Sequence, residues 1–180
     1  MDKDGFTSIV IELLDRVEPN KNAPIEEMSS LEIDGAALTQ HLMELVGSDT
    51  DRVRVWNSSE TEFSNLPNVA AYTLFATVTP PEKDADERGK EKEKERERQR
   101  DSSPVLTAIL LTLLRLEREK TDVIVTVNVP HIKGEYDEED VDFEMGKTGT
   151  LIGTAVSHTS KVWATFKIND YGLFKADDGA

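Results

Sequence analysis

The sequence predicts an α+β fold, an antiparallel sheet flanked by helices in a single domain, and three observations lead there. Segments with two-residue apolar alternation gather in one run between residues 71 and 130. Amphipathic helical patterns stand before and after that run, not between its strands. Strands gathered this way pair as antiparallel neighbours, whereas a parallel sheet needs a helix between successive strands. With 180 residues, the chain is long enough to bury about 68–70% of its unfolded surface in one core.

In chain order, Thr7–Leu14 (TSIVIELL) reads as a strand, with a helical finish left open. Asp34–Val46 (DGAALTQHLMELV) reads as an amphipathic helix. Asp34 is the expected cap, Leu38, Leu42, Leu45 and Val46 the apolar stripe, and Gly47 the stop. Ala71–Val78 alternates Tyr72, Leu74, Ala76 and Val78 against Thr73, Phe75 and Thr77, a strand pattern. Val105–Glu117 is apolar on both faces, as for a strand buried in mid-sheet, although its leucines also suit a helix. Arg118–Thr121 then makes a hairpin turn into Asp122–Pro130 (DVIVTVNVP). There Val123, Val125, Val127 and Val129 share one face, and Ile124, Thr126 and Asn128 form a second face expected to be partly wet. Thr150–Phe166 closes the series with helical spacing at Leu151/Ile152, Ala155/Val156, Thr159, Val162/Trp163 and Phe166.

Between the strands at 71–78 and 105–117 lies a charged insert, residues 82–103 (EKDADERGKEKEKERERQRDSS), bounded by Pro80-Pro81 and Pro104. It has nine acids, eight bases and no apolar residue larger than Ala85, so it has nothing to bury and is expected to be disordered. It is almost neutral. Of the net charge of −15 for the chain, −14 therefore lies elsewhere.

That acidity argues against nucleic acid, because affinity for phosphate backbones comes from Lys and Arg. It suits a basic protein partner. No stretch approaches the roughly 20 apolar residues of a membrane span; the longest, Val105–Leu116, is interrupted by Thr107, Thr112 and Arg115. The N-terminus lacks the basic-then-apolar pattern of a signal peptide. The absence of cysteine excludes disulfides, thiolate metal sites and thiol nucleophiles.

Tests for chemistry fail one by one. Gly146-Lys147-Thr148 matches the end of a phosphate loop, but the required earlier glycine is Val141, and a helix N-terminal turn is the plainer reading. His41, His131 and His158 have no partners at helical spacing, so neither a metal nor another cofactor is expected, and His41 reads as a core histidine. The acidic run Glu135–Glu144 lacks the glycine and glutamate of a calcium loop; counted from Asp140, those positions are Met145 and Leu151. No serine sits in a nucleophile elbow. The chain is read as a binding protein, not an enzyme. Glu12 and Asp15 in the first strand, with the Glu135–Glu144 run as a second acidic feature, are the candidate contacts for a basic partner.

Taken together, SIVIELLDRV at Ser8–Val17, the strand Ala71–Val78, TDVIVTVNVP at Thr121–Pro130 and TFKINDYGLF at Thr165–Phe174 resemble the Ran guanine nucleotide release factors, the Mog-type nuclear import proteins. The resemblance implies a PsbP-like, Mog-type single domain spanning residues 1–180. It implies a chain that binds the small GTPase Ran, releases its guanine nucleotide and supports nuclear protein import, in nucleus and cytoplasm, as a monomer. The family's acidic Ran-contacting positions fall on Glu12 and Asp15. The chain departs from the family at its start: neither the Gly-Gly-Ala strand nor the Val-Pro-Asp-x-Gln-Glu-Val segment precedes Ser8. Read as shortened by roughly 40 residues, a strand and its loops, it is expected to leave a sheet edge unpaired with apolar faces exposed. The competing reading is a generic acidic interaction protein binding basic partners through overall charge and Glu135–Glu144.

Overall fold

Strands that are apolar on both faces need cover on both sides, and this requirement organises the molecule. The computed structural model describes residues 7–18, 30–47, 52–80 and 104–174. Five antiparallel strands, β1 (Ser8–Asp15), β2 (Arg52–Thr61), β3 (Ala71–Thr79), β4 (Pro104–Leu116) and β5 (Thr121–Ile132), form one sheet in the order β1-β5-β4-β3-β2. Helix α1 (Ser30–Val46) lies against one face and helix α2 (Gly149–Thr165) against the other. A two-stranded hairpin, β6 (Val141–Asp142) with β7 (Lys147–Thr148), precedes α2.

The odd-numbered side chains of β4 (Ile109, Leu111, Leu113) meet Ala37, Leu38 and Leu42 of α1, together with Tyr72, Leu74, Ala76 and Val78 of β3. Its even-numbered ones meet α2. Ala108 and Leu110 pack with Val127, Val129, Ile152 and Ala155. Leu114 and Leu116 pack with Phe63, Leu66 and Val123, against which Val162, Trp163 and Phe166 close. Thr112, buried in this layer, accepts a hydrogen bond from the Trp163 indole N–H at 3.2 Å. The apolar reading of Val105–Glu117 therefore resolves as a central strand.

Four expectations change in detail. Helix α1 starts at Ser30, so Asp34 is not its cap; it is buried inside the helix and faces Arg115 of β4. The buried stripe is Ala37, Leu38, His41 and Leu42, while Leu45 is exposed, because the helix lies closest to the sheet through its middle turns. Gly47 ends the helix as expected, at φ 72°, with its N–H on the Met43 carbonyl. The second face of β5 is drier than expected: Ile124 and Thr126 are buried, since Ile124 joins the α1 layer. β1 is strand to its end, with no helical finish.

The sequence reading did not include β2. Its alternation is confined to Arg52–Val55, and a bulge at Trp56 shifts the register before the polar Asn57–Thr61 stretch. β3 and β4 are paired neighbours, so the charged insert connects adjacent strands; residues 82–103 themselves lie outside the described residues.

Candidate functional site

β1 lies at one edge of the sheet. It pairs with β5 in unbroken register from Ser8↔Asn128 to Asp15↔Thr121, and among the described residues no strand pairs with its other side. Strand alternation puts Ile9, Ile11 and Leu13 on the α2 face and Val10 and Leu14 on the α1 face. Both helices lie over the middle of the sheet, so neither covers β1 fully. Ile11 is 50% and Leu13 58% exposed on one face, and Val10 41% on the other. Among the described residues, β1 thus presents an unpaired, partly apolar edge.

Glu12 sits opposite Ile124 and is half-buried; Asp15 sits opposite Thr121 and is exposed. Neither carboxylate has an ion pair or a side-chain hydrogen bond among the described residues. Their separation of three places them on opposite faces of the strand: Glu12 on the α1 side, Asp15 on the α2 side. They do not form one acidic patch. Only a partner that meets the strand edge-on can reach both.

The far end of β1 is fastened by a buried charged cluster that pattern reading overlooked. Arg115 donates through Nε to Asp122 Oδ1 at 3.2 Å, through Nη1 to Asp34, and through Nη2 to the Val17 carbonyl. Asp122 Oδ2 in turn accepts from the Val17 N–H and lies 3.0 Å from His41 Nε2. One guanidinium thus ties α1, β4, β5 and the segment leaving β1. Burial alone pushes the Asp122 carboxyl up, but the His41 and Val17 hydrogen bonds and the Arg115 charge outweigh it and hold it below the ordinary aspartate value. Tyr72 beside them is pushed up to about 12, by burial first and then by the Asp34 carboxylate. The signal was present in sequence. Arg115 and Asp122 are the charged residues at mirrored positions around the Glu117–Lys120 turn, and they face each other in register.

The second acidic feature, Glu135–Glu144, is a surface segment made of a 3₁₀ turn at Glu138–Asp140 and then β6. Gly146-Lys147-Thr148 forms the turn and strand just before α2. Among the described residues no three His, Asp or Glu side chains converge to hold a metal ion, and no helix is long and apolar enough to cross a membrane.

Comparison with known proteins agrees with this architecture. A structure of a Mog1 point mutant is similar, at 19% identity and TM-score 0.54, covering 97% of this chain and 76% of that one. The Ran-binding protein Mog1p of Saccharomyces cerevisiae is similar at 18% identity and TM-score 0.49, over 89% of this chain and 67% of that one. Comparison with curated proteins gave no match. The family model described as Ran-interacting Mog1 protein matches residues 1–130. That span covers β1 to β4 and β5 as far as Pro130, and the chain belongs to the Ran-interacting Mog1 family.

Proposed function

We propose that this chain binds the small GTPase Ran along β1 and promotes release of its guanine nucleotide, supporting nuclear protein import in nucleus and cytoplasm. The observation that carries the reading is the edge strand itself: apolar on both faces, with Glu12 and Asp15 free of side-chain partners among the described residues. A free strand edge offers main-chain hydrogen bonds to an added segment, and alternate side chains grip it from above and below. Carboxylates brought in by that contact compete with nucleotide phosphates for the GTPase's lysine and magnesium, or hold its basic surface in an open state. The role is one of binding, without catalysis on the chain's own residues, and a monomer suffices for it.

The test is release of a fluorescent guanine nucleotide from Ran. The wild type accelerates release. Glu12→Lys/Asp15→Lys slows it by about tenfold or more, since each reversal both removes an attraction and adds a repulsion across the contact. Unchanged release by the double variant removes these residues from the mechanism. No acceleration by the wild type at any concentration removes the exchange function. Binding that extends to unrelated basic proteins and vanishes near 0.15 M salt favours a generic acidic binder instead.

A further inference from the structure

The main-chain groups that β1 turns outwards follow from parity. The Arg16 N–H donates to the Lys120 carbonyl, one step beyond the Asp15↔Thr121 pair. Strand alternation then turns the N–H and C=O of Val10, Glu12 and Leu14 towards β5, and those of Ile9, Ile11 and Leu13 outwards. The Arg115 N–H, donating to the Ala70 carbonyl on the β3 side, gives the same parity when counted across β4 and β5. The free main-chain groups therefore belong to the same three residues whose exposed apolar side chains lie on the α2 face. Among the described residues no strand pairs with them.

A second copy of the chain fits this edge in one register. Two copies related by a two-fold axis perpendicular to the sheet meet antiparallel, with the same patch on both sides. Within Ser8–Asp15, axes through Ile11 or Glu12 give the longest overlap. Through Glu12, the two carboxylates stand directly opposite each other, which is destabilising. Through Ile11, Ile11 meets Ile11, Ile9 meets Leu13, and Glu12 meets Val10. Ile9, Ile11 and Leu13 then exchange main-chain hydrogen bonds in pairs, about six in all, and their side chains form one apolar strip across the joint. Neither helix obstructs it. α1 packs on β3 and β4, and α2 on β4 and β5. The two α2 helices thus stand about four strand spacings apart, roughly 19 Å, against a helix diameter of about 10–12 Å. The other sheet edge matches β1 less well, because β2 breaks register at Trp56 and its Arg54 is engaged by Glu144.

We propose that two copies of this chain pair antiparallel through β1 about an axis at Ile11, joining their sheets into one. The contact is small, so the dimer is weak, with a dissociation constant of roughly micromolar order. The Glu12 carboxylates lie diagonally across the joint, so salt strengthens the dimer by screening them, the reverse of a charge-driven contact. The pairing does not rest on the exchange reading, although one edge cannot serve both, so the dimer and a Ran complex along β1 exclude each other.

The test uses the chain alone, so its failure leaves Ran binding untouched, and a failure of nucleotide release leaves the dimer standing. Sedimentation equilibrium from micromolar to millimolar concentration gives a monomer–dimer equilibrium that tightens with added salt. In hydrogen exchange, the amides of Ile9, Ile11 and Leu13 slow as concentration rises, while those of Val10, Glu12 and Leu14, already bonded to β5, change little. The chain has no cysteine, so single cysteines report the register. Ile11→Cys sets two Cα atoms about 5.5 Å apart, within disulfide reach, and oxidises to a covalent dimer. Leu13→Cys, about 15 Å from its counterpart, does not. Ile11→Lys sets like charges opposite each other and weakens dimerisation about tenfold, with circular dichroism unchanged; Glu12→Gln tightens it about twofold. The proposal is overturned by a monomer at every concentration, by assembly that grows past the dimer, by protection that ignores the alternation of residues, or by Leu13→Cys cross-linking as readily as Ile11→Cys.

Discussion

At the residue scale, the largest single commitment in the molecule is Arg115, only 2% exposed with its guanidinium shared between Asp34, Asp122 and the Val17 carbonyl. Removing one partner of a buried ion pair leaves uncompensated charge, at a cost of about 3–5 kcal/mol. Arg115→Leu is therefore expected to lower the unfolding free energy measured by urea denaturation by that much, whereas Arg115→Leu/Asp34→Leu/Asp122→Leu recovers a large part of it. The pH dependence follows from Asp122. Its folded pKa is depressed, so its stabilising contribution is complete above the ordinary aspartate value near 4 and is lost as pH falls from there through the folded value. Asp122→Asn flattens the acid limb of the stability profile, which acid titration of circular dichroism reads directly. Charges inside apolar strands are legible in sequence as anomalies. What they touch is not, because Asp34 reaches the cluster from a separate helix 81 residues away.

Among the elements, legibility tracked burial. β4 and β5 announced themselves because both faces are apolar, and α2 because Ile152, Ala155 and Thr159 recur on one buried side. β2 stayed hidden because its outer half is polar and its register breaks at Trp56, where the ring stacks under Arg54 at 3.9 Å instead of entering the core. The start of α1 was misplaced for a related reason: an aspartate before an apolar run looks like a cap, and only the buried arginine shows otherwise. Of the candidate site, Glu12 and Asp15 were readable as carboxylates in a strand, and their opposite faces follow from alternation alone. The edge position that makes them reachable was not readable from the strand pattern, because it depends on the order of strands in the sheet. β1 also carries a liability, since an apolar unpaired edge invites pairing with further chains. Ile11→Lys, on an exposed position, is expected to leave the unfolding free energy within about 0.5 kcal/mol of wild type while slowing aggregation measured by light scattering.

For the whole molecule, the distribution of charge separates into a nearly neutral insert and a domain that holds −14. The insert joins strands that are already neighbours, Val78 pairing with Thr107. Shortening the connection over residues 80–103 to about four residues lowers the closure entropy by roughly 1.5 kcal/mol. The expected result is a small rise in stability by chemical denaturation with unchanged nucleotide release; a loss of release would give the insert a part in function.

The sheet is lopsided. Helix α1 lies over β3 and β4 and helix α2 over β4 and β5, the polar hairpin leans towards β2 through Trp56–Phe143 and Arg54–Glu144, and β1 lies at the margin of both layers. Yet this poorly covered edge strand has its trailing end clamped through Val17 to the buried Arg115–Asp122 cluster. Flexing of β1 therefore pivots from that cluster. Motion should grow from Asp15 towards Ser8, and amide exchange along the strand should rise in the same direction.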